Sequence, residues 1–285
     1  MCAKKLAPKA PDFYCIGAQK AGTTWLHSNL RRHPDIWLPP VKEVQYFNQV
    51  HVPGHAQWTQ WHRDEHAGRS LRNYFRNNEE YNFFYVRMLA TITDPAVDDD
   101  WYRNVFSYAG PDRLAGDLTP EYSLLPKAGI EHMLTLSPDA KFLFIMRDPI
   151  SRSWSHVRML MKRQGSDRGH PQALLDQPDV FARSDYPAIL DRWQGCVPES
   201  NLMVGFFDEI SASPQPFLRK VIEFIGLEFE PDHYGDLDKV VHKGEAAEIP
   251  GDIYDGLRRS YEPIYRELEK RFPGIAGNWM ATHYG

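Results

Sequence analysis

The stretch Cys15-Ile-Gly-Ala-Gln-Lys-Ala-Gly-Thr-Thr-Trp-Leu-His-Ser-Asn-Leu30 decides how the rest of the chain is read. Phe13 to Gly17 is a short apolar run ending in glycine, a strand pattern. Trp25, Leu26 and Leu30 recur at helical spacing, and the helix must stop before Pro34. Between them Gly17 and Gly22 stand five residues apart, the G-x-x-x-x-G spacing of a phosphate-cradling P-loop. In a strand–loop–helix unit the loop N–H groups and the helix N-terminus converge on one point and favour an anion there. A nucleotide triphosphatase places its lysine directly after the second glycine, but Thr23 occupies that position and Lys20 lies inside the loop. A lysine so placed suits a nucleotide with one 5′-phosphate and one further acidic group, held without a metal.

Outward from this loop, apolar runs at Ile36–Leu38, Leu114–Leu118, Phe142–Met146 and Asn201–Phe206 read as further strands. Helical patterns separate them at Ile130–Leu136, Ser151–Arg163, Tyr186–Gln194 and Gln215–Ile225, and a long amphipathic segment spans Tyr254–Arg271. Alternating strands and helices predict an α/β fold with a mostly parallel central sheet flanked by helices. "FLFIM" at 142–146 is apolar without alternation, as a strand covered on both faces requires. Residues 48–108 are polar, aromatic and rich in histidine, and read as a helical insertion within one domain spanning 1–285, able to cover or line a cleft.

The bulk composition narrows the classes. The 285 residues are 42% hydrophobic and 25% charged, with a formal net charge of −5, which argues against a general nucleic-acid binder but not against a local basic pocket. No apolar run reaches the 18 residues of a transmembrane helix, and the N-terminus lacks the apolar core of a signal peptide. Three cysteines, Cys2, Cys15 and Cys196, lack metal-ligand spacing and fit a reducing compartment. A soluble cytoplasmic protein is expected.

Three further segments carry chemistry. In "FLFIMRDPISRSWSHVRM" (142–159) a buried strand delivers Arg147 to its carboxyl end, where open α/β sheets bind ligands; Pro149 turns the chain and Ser155 follows on a helix. A planar guanidinium with a hydroxyl suits a phosphate monoester. "PPVKEVQYFNQ" (39–49) follows the second strand and offers Lys42 and Glu43 to the same cleft. "HRDEH" (62–66) has the H-x-x-E-H spacing of an inverted zinc-peptidase motif, so His62, Glu65 and His66 define a competing metal-hydrolase reading, although a catalytic zinc needs a third protein ligand.

These residues resemble those of the PAPS-dependent sulfotransferases, most nearly the heparan-sulfate-type branch and its bacterial relatives, which share a P-loop-like fold. "QKAGTTWL" is similar to the family's 5′-phosphosulfate loop. The resemblance implies that Lys20 reaches the phosphosulfate bridge, that Ala21, Gly22, Thr23 and Thr24 hold the phosphate, and that Trp25 packs near adenine. R-D-P-x-x-R-x-x-S resembles the 3′-phosphate site, with Arg147 and Ser155 as ligands. "VVHKGEAAEIP" resembles the loop that closes over that phosphate, nominating Lys243 and Gly244, and "ARSDYP" nominates Tyr186. "KEVQYF" resembles the E-x-Q/H-F-F segment in which the glutamate is the base, making Glu43 the catalytic base and Lys42 its neighbour at the transferred group. "GDLTPEYSL" resembles an acidic-x-Thr-Pro-x-Tyr segment, with Leu118 where many heparan-type members carry lysine. A sulfuryl transferase using PAPS as donor and releasing PAP is therefore expected, with a hydroxyl or amine acceptor on a glycan or aromatic small molecule. A P-loop small-molecule kinase and a non-enzymatic nucleotide-binding module are the alternatives.

Overall fold

The computed structural model describes residues 7–164, 171–237 and 248–285. In chain order the elements are β1 (Phe13–Gly17), α1 (Thr23–Leu30), β2 (Ile36–Trp37), α2 (Tyr46–His51), α3 (Ala56–Asn77), α4 (Phe83–Ile92), α5 (Asp99–Ser107), β3 (Leu114–Leu118), α6 (Lys127–Leu136) and β4 (Lys141–Met146). They continue with α7 (Pro149–Gln164), α8 (Pro171–Leu175), α9 (Pro178–Ala182), α10 (Tyr186–Gln194), β5 (Leu202–Phe206), α11 (Phe207–Ala212), α12 (Pro214–Phe224), α13 (Gly251–Arg271) and α14 (Ile275–Tyr284).

The five strands form one sheet in the order β2-β3-β1-β4-β5, and every pairing is parallel. All five residues of β1 are buried, and Cys15 pairs with Leu118 on one side and Leu143 on the other. The chain leaves β1 toward β2 and β3, then crosses to β4 and β5, so the strand order reverses about β1. Its carboxyl end is the switch point where open α/β sheets bind ligands, and the glycine loop lies there. Gly116 has no room for a side chain, because a Cβ would collide with the Phe13 ring; the smallest residue lets β3 close against β1.

Element boundaries differ from expectation by up to three residues, with one instructive case. Pro149 does not turn the chain ahead of a helix; it begins α7, where a missing N–H costs nothing, and the Asp148 side chain accepts from Ser151 N at 2.7 Å. The expected insertion is built from α3, α4 and α5. Within it Trp101 and Tyr102 are buried while Trp61, Tyr81 and Phe83 face solvent. Among the described residues no helix is long and apolar enough to cross a membrane.

Candidate active site

The glycine loop folds as its spacing requires. Gly22 has φ 88 at the N-cap of α1, and a Cβ there would stand 2.9 Å from Ile210 Cδ1. Lys20 also adopts a left-handed conformation, with φ 72. The left-handed region costs a non-glycine residue on the order of 1–3 kcal/mol and persists only where surrounding contacts impose it. One such contact is visible: the Lys20 carbonyl accepts from Arg147 Nη1 at 3.0 Å. Burial holds the Lys20 amine below its ordinary pKa, and the charges of Arg147, Arg163, Lys42 and Arg158 push the same way. A lysine among four cations creates a positive potential that favours an anion.

Arg147 leaves the end of β4 and lays its guanidinium over Phe207, 4.8 Å from the ring centroid. Tyr186 is fully buried behind it; its hydroxyl donates to the Arg147 carbonyl at 2.8 Å and accepts from Arg147 N at 3.4 Å. Its contacts fix the backbone from which Arg147 reaches out. Asp148 does not pair with Arg147. It accepts from Tyr265 and from His283 Nε2 at 2.9 Å, contacts that hold its carboxyl below the usual range despite burial. Ser155 is half-buried on α7. Trp25 is buried against Phe217 and its indole N–H donates to the Leu237 carbonyl at 3.2 Å. Lys243 and Gly244 lie outside the described residues.

The loop between β2 and α2 brings the third motif to the same place. Lys42 Nζ donates to Thr24 Oγ1 at 3.1 Å and to Thr23 Oγ1 at 3.4 Å, so the two motifs meet through side chains. It also lies 3.7 Å from Glu43 Oε1, with both side chains partly exposed. Glu43 and Gln45 have φ 67 and 63, and Gln45 Nε2 donates to Glu43 Oε2 at 3.5 Å. Lys20, Glu43 and Gln45 are thus left-handed non-glycine residues in the two loops that Lys42 joins.

The H-x-x-E-H motif sits mid-way along the 22-residue helix α3, a cleaner helix than its flanks suggest. The His62 and His66 rings lie tilted against each other with centroids 4.2 Å apart, Glu65 pairs with Arg69, and His62 Nε2 faces the Lys42 carbonyl at 3.2 Å. Among the described residues no three metal-binding side chains converge.

Two networks escaped the sequence reading. Glu121 and Arg183 form a buried ion pair, and Gln19 Nε2 donates to Glu121 Oε1 at 3.0 Å, tying the glycine loop to the turn after β3. Asp117 accepts from Tyr102, Tyr122 and Thr119, yet burial outweighs those bonds and pushes its pKa up to about 6. "GDLTPEYSL" held both acids, but no local signal pairs Glu121 with a residue 62 positions away.

Comparison with known proteins identifies the family and the fold. A model described as the Sulfotransferase family matches residues 11–231. The human bifunctional heparan sulfate N-deacetylase/N-sulfotransferase 2 is 23% identical over 235 residues, which is 79% of this chain and 23% of that protein. The chain spans about a quarter of the length of the curated relatives it matches. A sulfotransferase from Alicyclobacillus acidocaldarius superposes with a TM-score of 0.64 at 22% identity, covering 94% of this chain and 98% of its own. Mouse sulfotransferase SULT7A1, solved in complex with PAP, gives a TM-score of 0.51 at 14% identity, covering 95% and 88%.

Proposed function

The chain belongs to the sulfotransferase family, and on that premise we propose that it moves a sulfuryl group from PAPS to a hydroxyl or amine acceptor, with Glu43 as general base. The observation that carries this reading is the meeting of the glycine loop with the Lys42–Glu43 loop. Lys42 bridges the Thr23 and Thr24 hydroxyls on one side and the Glu43 carboxylate on the other. A donor anion and an acceptor proton are thereby served from adjoining residues.

A nucleotide with two separate anionic groups fits the residues present. Burial first, and the surrounding cations second, lower the Lys20 pKa; a bound anion offsets both, and the PAP bound to the mouse enzyme of the same fold is the product such a site would release. Lys20, Gly22, Thr23 and Thr24 would hold the 5′-phosphosulfate, and Arg147 with Ser155 the 3′-phosphate. Transfer forms a bond between the acceptor oxygen or nitrogen and sulfur, and breaks the bond from sulfur to the bridging phosphate oxygen. Glu43 takes the acceptor proton as the new bond forms. Lys20, aided by Lys42, stabilises the charge left on the phosphate. The acceptor is a carbohydrate, as the name of the heparan relative suggests, or a ring-bearing small molecule. We place the protein in the cytoplasm as a single domain.

The test is incubation with labelled PAPS and a panel of glycan, phenol and amine acceptors. Label appearing in one acceptor class, with stoichiometric PAP, supports the reading. Turnover of magnesium-ATP with no transfer from PAPS would replace it by a small-molecule kinase.

A further inference from the structure

The H-x-x-E-H motif is left without a role by the reaction above, yet it touches the loop that carries Glu43. His62 is buried, and its Nε2 faces the Lys42 carbonyl at 3.2 Å. Only the Nε2–H tautomer can donate there. The next residue, Arg63, is fully buried and donates from Nη1 to the Val44 carbonyl at 3.3 Å. The two carbonyls gripped by α3 are those immediately before and after Glu43.

Both gripping side chains are themselves held. Arg63 Nη2 donates to Gln49 Oε1 at 2.6 Å and to Gln60 Oε1 at 2.8 Å, and its guanidinium lies 5.0 Å from the centroid of Trp101. These three partners of Arg63, on Val44, Gln49 and Gln60, are all neutral oxygens. The His62 ring makes tilted contacts with Trp58, centroids 5.7 Å apart, and with His66 at 4.2 Å. On the far side of Glu43, Tyr46 N donates to Tyr122 Oη at 3.1 Å. A segment with two left-handed non-glycine residues, Glu43 and Gln45, has to be over-determined by its surroundings, and these are the contacts that do it.

We propose that the helical insertion acts through His62 and Arg63 as a backbone clamp that sets the direction of the Glu43 carboxylate, making both of them positioning residues for sulfuryl transfer. The inference rests on the reading of Glu43 as the base. It gives the insertion a function apart from covering the cleft. Displacing α3 shifts Lys42, Glu43 and Val44, whereas Arg147 and Tyr186 hang from β4 and α10 and stay in place.

The experiment compares His62→Leu and His62→Gln in the full-length protein, alone and combined with Glu43→Gln. Leucine fills the site but cannot donate, while the glutamine amide can. Transfer of label from PAPS to the best acceptor of the panel should fall roughly 10- to 100-fold in kcat for the leucine variant, the cost of a small misplacement. KM for PAPS and affinity for PAP should hold, and His62→Gln should recover most of the loss. On the Glu43→Gln background the leucine change should add nothing. Hydrogen exchange, which needs no acceptor, should speed up in residues 42–46 and not in 15–30. Full activity of His62→Leu beside an inactive Glu43→Gln overturns the clamp alone, as do additive losses or equal loss of PAP affinity. Full activity of Glu43→Gln overturns the base assignment and the clamp with it.

Discussion

Arg147 donates from Nη1 to the backbone carbonyl of Lys20 across 3.0 Å, although 127 residues separate them in the chain. The bond joins the turn after β4 to the glycine loop and orients a carbonyl that the left-handed Lys20 turns toward it. It also spends one guanidinium nitrogen inside the protein. The bond therefore ties the two motifs together.

Binding of 3′-phosphoadenosine 5′-phosphate should raise the melting temperature well above the shift from AMP or ATP. A ligand at 100 times its Kd stabilises by about 2.7 kcal/mol. Arg147→Ala should erase the margin over AMP, because the charge directed to the 3′-phosphate is gone. Equal shifts for PAP and AMP in the native protein would remove the 3′-phosphate site.

Replacing Lys20 by methionine should reduce kcat by about 10²–10³, the usual loss for one electrostatic stabiliser, with little change in melting temperature. The direction of the Lys20 pKa gives a second readout. Burial and neighbouring cations lower it in the free protein, whereas a bound anion favours the charged form. PAP binding should therefore take up a proton at alkaline pH and weaken as pH rises through the free-protein value. Calorimetry in two buffers of different ionisation enthalpy measures that uptake, and the methionine variant should lack it.

Glu43→Gln should lower kcat by roughly 10²–10⁴, the range for a general base, with PAP affinity unchanged. Turnover and nucleotide affinity are measured on the same preparation. Wild-type turnover would move the base elsewhere; lost PAP binding would make Glu43 a structural residue.

Gly22→Ala combines a positive φ with contact of the new methyl on Ile210 and Phe207. A loss of about 1–3 kcal/mol in urea unfolding is expected from the backbone strain, with PAP affinity falling alongside, since the α1 N-terminus moves. A neutral effect on both would mean the loop relaxes freely.

Acid should destabilise the fold below pH 6.5. Burial first, and nearby cations second, push His27 and His156 down to about 3, from the ordinary 6.5. Between those values the unfolded chain binds protons that the native state refuses, so stability drops as pH falls, by about 1.4 kcal/mol per unit for each histidine. Asp117, pushed up to about 6, acts with opposite sign, since the native carboxyl takes its proton first, but over a narrower window. The two histidines should prevail. Denaturant midpoints between pH 7 and 4 test this, and His156→Gln should flatten the slope.

The order of elements was legible because each depends on local patterns: glycine at the ends of β1, the unbroken apolar run of β4, the helical spacing after Thr23. The loop motif gave its own chemistry, since glycine spacing and a nearby lysine need no distant partner to be recognised. The identity of the family followed from the same short segments. "HRDEH" shows the limit of that approach. Its spacing matched a metal site, but His62 is occupied by a carbonyl contributed from 20 residues earlier.

The sequence alone determined the mostly parallel sheet and the strand–loop–helix unit around the glycine loop, and it nominated Lys20, Glu43 and Arg147. Only the tertiary structure decided that Lys42 bridges the Thr hydroxyls to Glu43, that Glu121 pairs with Arg183, and that His62 and Arg63 grip the carbonyls beside Glu43. The division has a physical reason. Strand and helix patterns are set by periodic burial over a few residues, which neighbouring positions encode. Hydrogen bonds to backbone carbonyls are indifferent to the identity of the residue that offers them, so they leave no mark in the sequence until the fold brings donor and acceptor within about 3 Å.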